Sequence, residues 1–167
     1  MTPTIYRDQV AELAKTDPDR AVEIADKIQD PWFAAQAWSH LTRHAPKPLR
    51  FSRKAAKAAS LGKDDYQRSA VRAWEIAALA EREYHSHAQA ALAEAVELAA
   101  TIKHQGSRSE ALVLLFQAAF KISKNDAAAI AEMIRNTCNS SHWRARRAVG
   151  DVSKMLDGAM PVREFFW

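Results

Sequence analysis

Few side chains in this sequence stand where they could do chemistry together. His40 and His44 are spaced to share one helix face, yet the Leu41-Thr42-Arg43 between them lacks the glutamate that a His-Glu-x-x-His zinc site uses as its base. His85 and His87 sit in a polar turn, and neither pair has a thiol or carboxylate framework at metal-ligand spacing. Cys138, the one cysteine, could offer a thiolate with His142 as its base. Asn136 and Asn139 are near, but the spacing puts no orienting amide or carboxylate on the imidazole, so Cys138 reads as an inert loop thiol. The four glycines are scattered and build no phosphate-cradling loop. The expectation is a protein that is not an enzyme, with no catalytic residue, no metal site and no cofactor.

What the chain does concentrate is positive charge at one end. Its net charge of +4 lies entirely in residues 101–167, which carry 10 basic and 6 acidic side chains, while the first hundred residues are balanced. Between Glu132 and Asp151, the residues Arg135, Arg144, Arg146 and Arg147 meet no carboxylate. Such a face attracts anions: an acidic peptide, a nucleic-acid backbone or a membrane surface. Trp143, beside Arg144, could anchor a peptide or stack on a base. Aromatic residues are otherwise sparse through the basic region, so nucleic acid is the second reading and an acidic protein segment the first. The terminal Phe165-Phe166-Trp167 would be a sticky patch in water. It either folds back over the open edge of the last helices or docks into another chain, and docking would make it a self-association element.

Helices must position these groups. Alanine accounts for 34 of the 167 residues, and glycine and the β-branched residues that strands prefer are sparse. This excludes a sandwich, a barrel or a doubly wound sheet and leaves an all-α fold. No uncharged apolar run approaches the roughly 20 residues of a membrane helix, so no membrane partner is expected. The start MTPTIYRDQV lacks a basic-then-apolar leader layout, and a lone cysteine suits a reducing compartment, which together point to the cytoplasm.

The alanines recur. One set of segments superimposes on Ala25, Ala59, Ala99 and Ala131, a second on Ala34, Ala70, Ala111 and Ala145. In the second set, Trp38, Trp74, Leu115 and Val149 follow four residues on, and Leu41, Ala77, Ala118 and Val152 three further, which is one buried stripe per helix. The second-set anchors are separated by 36, 41 and 34 residues, the period of a helical-hairpin repeat. This reading puts Trp38 and Trp74 in one core slot, and Trp32 and Trp143 in another at a hairpin mouth. Asp17-Pro18 starts the first hairpin and Asn125 caps the fourth. Gly62 and Gly106 fall where a left-handed residue would end a first helix, and Asp157-Gly158 stops the last one. The expectation is an all-α solenoid of about four antiparallel helical hairpins over residues 1–158. A leading cap helix (TIYRDQVAELAK) comes first, and an aromatic tail over 159–167 follows.

On these anchors the chain resembles the tetratricopeptide family. The third repeat is nearest, with twelve residues from Ala99 to Ala111 and seven from there to Ala118, Leu98 and Ile102 at apolar first-helix positions, and Leu115 at the large second-helix one. The first-helix Trp, the Gly and the closing Pro of that family are missing, and Ala131 to Ala145 stretches to fourteen residues, a looseness shared with HEAT-like repeats. The resemblance implies a protein-binding scaffold with a concave groove lined by the first helices. It places Gln29, Lys63, Lys103 and Arg135 in a late groove row, and Asp19, Arg53, Ala93 and Asn125 in an earlier one. Mostly cationic, that groove would favour an acidic partner segment. The expected partner-binding residues are therefore Arg53, Lys63, Lys103, Arg135, Trp143, Arg144 and Arg147.

Overall fold

Prolines and short capping side chains begin most of the helices. In the computed structural model, which describes residues 1–138 and 141–166, α1 (Pro3–Leu13), α2 (Pro18–Ala25), α3 (Pro31–His44) and α4 (Pro48–Ser60) each open on a proline. Its missing N–H goes unnoticed in a first turn. Asp17 caps α2, and Asp30 Oδ1 accepts from the backbone N–H groups of Trp32 (2.9 Å) and Phe33 (3.2 Å) to cap α3. Further along come α5 (Asp65–Ala70), α6 (Arg72–Glu81), α7 (His85–Ala100), α8 (Gln105–Ile122), α9 (Lys124–Thr137) and α10 (Trp143–Leu156). Val71 alone separates α5 from α6, and its own φ and ψ are helical. The described residues contain no strand, so the all-α expectation holds.

The chain ends its helices differently from the sequence expectation. Ser123, not Asn125, caps α9, by accepting from the Asp126 N–H at 3.0 Å. Neither Gly62 nor Gly106 is left-handed, and Gly106 lies inside the first turn of α8. Positive φ occurs instead at Lys47, Glu83 and Gly158. Gly158 does stop α10 as expected, with the Ala159 N–H donating to the Lys154 carbonyl at 2.8 Å in a Schellman closure. Glu83 closes α6 the same way, its neighbour Tyr84 donating to the Leu79 carbonyl at 2.9 Å, but with a side chain where glycine is favoured.

The helices pack as a row with a second set of helices against it. In the row, α3 packs on α1 and α6, and α8 on α6 and α10. The other helices each touch two members of the row. They pair as α2 with α1 and α3, α4 with α3 and α6, α7 with α6 and α8, and α9 with α8 and α10. The alanine anchors of both sets are buried, as are Trp38, Leu41, Trp74, Ala77, Leu115, Ala118 and Val152. Val149 is half-buried.

Trp38 and Trp74 are both packing residues, but they do not share a slot. Trp38 stacks on Phe51 of α4 at 6.1 Å, under the Lys54 ammonium, while Trp74 turns towards Phe165 of the tail at 5.4 Å. The equivalent of Trp74 on α3 is His40, which meets Phe166 at 5.0 Å. Each stands ten residues after the aspartate that caps its helix or helix pair, Asp30 and Asp64. On α3, Trp38 and His40 are two residues and therefore roughly 200° apart around the helix. The tail thus lies on the side of the row away from α4.

One buried charge group ties α6 to α7. Glu75 is 4% exposed, bonded by Arg72 Nε at 2.7 Å, and Arg72 Nη1 reaches Glu94 of α7 at 2.8 Å. Burial pushes the Glu75 carboxyl up, and the Arg72 guanidinium opposes it. Removing Arg72 strands a buried carboxyl, so Arg72→Met should cost about 3 kcal/mol in urea unfolding, whereas the double variant R72M/E75L should recover most of that loss. Glu83→Gly should stabilise the chain by up to about 1 kcal/mol, read as a rise in the thermal midpoint.

Candidate functional site

The side of the row away from α4 brings Trp32, Tyr66, Trp74 and Trp143 together with Arg144, Arg147 and Arg163. Asp30 and Asp64 start α3 and α5 so that Trp32 and Tyr66 each fall two residues into a helix, and the two rings stack at 6.1 Å. Trp32 also meets Trp74 edge-on at 5.6 Å. Burial first, and the Glu110 carboxylate second, push the Tyr66 hydroxyl above its ordinary value, which keeps it a neutral donor.

The C-terminal tail crosses this face. Lys121 of α8 pairs with Glu164 at 2.9 Å, Phe165 packs on Trp74 of α6, and Phe166 packs on His40 of α3 beneath the Arg43 guanidinium. Successive tail residues thus address successive helices. Both phenylalanines are buried within the chain, and they cover α6 and α3 rather than the open edge beyond α10. Trp167, the third member of the expected aromatic cluster, lies outside the described residues, as does Asn139. No backbone hydrogen bond joins residues 161–166 to the helices among the described residues. Side chains alone hold the tail.

Two cavities flank the tail. One, of about 310 Å³, is lined by Arg7, Trp32, Gln36, His40, Trp74 and Phe165. The other, of about 350 Å³, is lined by Glu110, Gln117, Trp143, Arg144, Arg147 and Asp151. Tyr66, Leu114 and Arg163 of the tail line both. Arg163 lies 5.3 Å from the Trp74 ring centre and has no carboxylate partner among the described residues. Arg144 pairs with Glu110 at 3.3 Å and Arg147 with Asp151 at 3.5 Å, so the two carboxylates partly offset the cationic wall.

Trp143 is 55% exposed at the rim, and local packing explains why. His104 and His142 cap α8 and α10 through Nδ1, accepting from Ser107 N–H at 3.1 Å and Arg144 N–H at 3.2 Å. Their rings meet edge-on over Gly106, where an added Cβ would come within 2.9 Å of His104 and 3.1 Å of the Arg144 side chain. Gly106 thus lets the start of α10 seat against α8, leaving Trp143 stacked on His142 at the rim and turned outward. Trp143 and Trp32 therefore do not share an environment.

Of the residues expected from the sequence, Trp143, Arg144 and Arg147 come together here. Arg53, Lys63, Lys103 and Arg135 are exposed and share no cavity with one another. Lys103 faces a hollow with Asp64 and Asp65, and Arg135 pairs with Glu132 at 3.2 Å beside Arg108 and Arg146. Cys138 is buried, and His142 is occupied as a cap. No group of three or more His, Cys, Asp or Glu able to hold a metal occurs among the described residues, and no helix is long and apolar enough to cross a membrane. Arg7, Tyr66, His40 and Arg163 were missed by sequence reasoning. Only their recurrence at fixed distances after Asp30 and Asp64 could have pointed to Tyr66 and His40. Compared with protein-family models, with curated proteins and with solved structures, the chain matches none of them.

His40 gives this face a measurable signature. Burial, then the charges of Arg43, Arg7 and His44 against the lone opposing Asp8, lower its pKa from 6.5 to about 4. The unfolded chain therefore takes up a proton between pH 6.5 and 4 that the folded chain refuses. The contribution is complete above pH 6.5 and falls as pH drops towards 4, by on the order of 3 kcal/mol. Urea unfolding from pH 7 to 4.5 should show that loss, and His40→Gln should flatten the slope across the same range.

Proposed function

We propose that this chain is a non-enzymatic protein-interaction module of the helical-repeat type, and that it binds an extended acidic segment of a partner across the open face of the row. The row of α3, α6, α8 and α10, each junction covered by a helix of the second set, supports a solenoid built of helical hairpins. The caps at Asp30, Asp64, His104 and His142 mark the starts of four such units.

The observation that carries the reading is the cavity in which an exposed Trp143 stands with Arg144, Arg147 and Arg163. An aromatic anchor beside guanidinium groups suits a segment with carboxylates next to an apolar side chain. The chain's own tail, without helix over residues 161–166, already crosses this face. The first helices of each unit contribute less than the resemblance suggested, since Lys63 and Lys103 stand apart from this cavity. Nucleic acid is the second reading, because Trp143 is the one exposed large aromatic among the described residues and successive bases need successive stacking partners. A lone buried thiol is consistent with a cytoplasmic setting.

An array of acidic and neutral peptides, with and without an aromatic residue, tests this. The wild-type chain should be retained by acidic, aromatic-containing members. R144E/R147E should weaken retention at least tenfold, with an unchanged circular-dichroism spectrum, while K63E/K103E should leave it intact. Equal retention of all three chains would overturn the assignment of the face.

A further inference from the structure

The tail has the attributes of a bound ligand rather than of a core element. Residues 161–166 are without helix, and side chains alone hold them to the row. The tail leaves α10 through the left-handed Gly158, followed by Pro161. Each contact residue uses a receptor group supplied by a different helix, Lys121 of α8 for the carboxylate, Trp74 of α6 for the first ring, and His40 with Arg43 of α3 for the second. Arg163 of the tail lines both cavities, and Phe165 lines the one towards α3. Lifting the tail would take both side chains away and leave Tyr66 and Leu114 as the shared wall between the two cavities.

We propose that the α3–α6–α8 half of the face is a receptor for an extended acid–aromatic–aromatic segment of a partner protein, and that Glu164-Phe165-Phe166 occupies it in cis as a displaceable plug. This rests on the reading of the face as a binding surface and specifies its second half. A partner bearing such a segment beside its acidic stretch would displace the tail and engage both cavities. The Lys121 ammonium recognises the acid, and the edge-on ring pockets at Trp74 and His40 recognise two consecutive aromatics. A segment lacking either aromatic would leave one of these pockets open to water.

The test uses the full chain and a fluorescent nonapeptide with the sequence of residues 159–167. In the variant F165A/F166A the receptor is vacant, and the peptide should bind at least tenfold more tightly than to the wild type. Adding Lys121→Glu to that variant should weaken binding, and a peptide with both phenylalanines replaced by alanine should not bind. If F165A/F166A fails to fold, F165L/F166L keeps the apolar volume while removing the ring edges, and should also admit the peptide more readily than the wild type does. Absence of binding to a folded vacated chain overturns the proposal, as does equal binding to wild type and variant. A wild-type dimer that forms with concentration and disappears in F165A/F166A also overturns it, by making a second copy the occupant. K63E/K103E, at residues apart from both cavities, should leave nonapeptide binding unchanged. Failure of the nonapeptide alongside Arg144- and Arg147-dependent array binding would remove the plug and spare the face.

Discussion

Close approach of helices through alanine is the constraint on which the rest of this structure depends. Ala34, Ala37, Ala73, Ala77, Ala111, Ala118 and Ala145 are all buried on the helices of the row. A methyl at a crossing lets two axes come near the lower end of the usual interaxial range, but it buries little apolar area. The larger side chains must then find cover elsewhere. On the side of the second set they interleave with it, as Trp38 does with Phe51. On the opposite side no helix covers Trp32, Tyr66 and Trp74. They stack on one another instead, and two phenylalanines from the far end of the chain complete the cover.

Much of the positive charge is consumed by the same architecture. Helices meeting end to side leave carbonyls without partners at each C-terminus. Arg82 donates to the carbonyls of Thr42, Arg43 and Ala45 at the end of α3, and Arg68 Nε to that of Gly62 at 2.8 Å after α4. Arg108 spans two such ends, donating to Ile102 at 2.8 Å and Thr137 at 2.9 Å. Cations placed this way also face the negative ends of helix dipoles. A sequence count treats them as equal to the arginines of α10, yet they are structural. The positive groups left at the surface for a partner are accordingly fewer and more localised than a net charge of +4 and an uneven distribution suggest.

The buried stripes were legible because they are local. A period of three to four residues places Ala34, Trp38 and Leu41 on one side of a helix whatever the helix packs against, and alanine spacing separated the two sets of helices. Three things were not legible. Aligning Ala70 with Ala34 slips by two residues from an alignment on the caps Asp64 and Asp30. That slip exchanged His40 for Trp38 as the counterpart of Trp74, and on a helix two residues reverse the face. The resemblance implies a groove along α2, α4, α7 and α9, and Trp32, Trp74 and Trp143 lie on α3, α6 and α10. The seat of the tail depends on contacts between residues more than forty positions apart, such as Lys121 with Glu164, which no local periodicity encodes.

The position of Trp143 shows how a structural requirement can generate a binding feature. Gly106 exists at the start of α8 because two imidazole caps and the Arg144 side chain converge on the space a Cβ would fill. With α10 seated that closely, the first residue of α10 has no room inward, and its indole must project over the rim of the cavity. The same seating brings Arg144 within reach of Glu110 and lines the wall with Arg147 one turn on. An exposed tryptophan between two neutralised guanidiniums is tolerable in water, because each arginine already has a carboxylate. In the proposed complex a ligand carboxylate would compete with Glu110 and Asp151 for these groups, so recognition at this end would be an exchange of ion pairs. Affinity must then come from burying the indole, which ties selectivity for an acidic segment to the apolar side chain beside it.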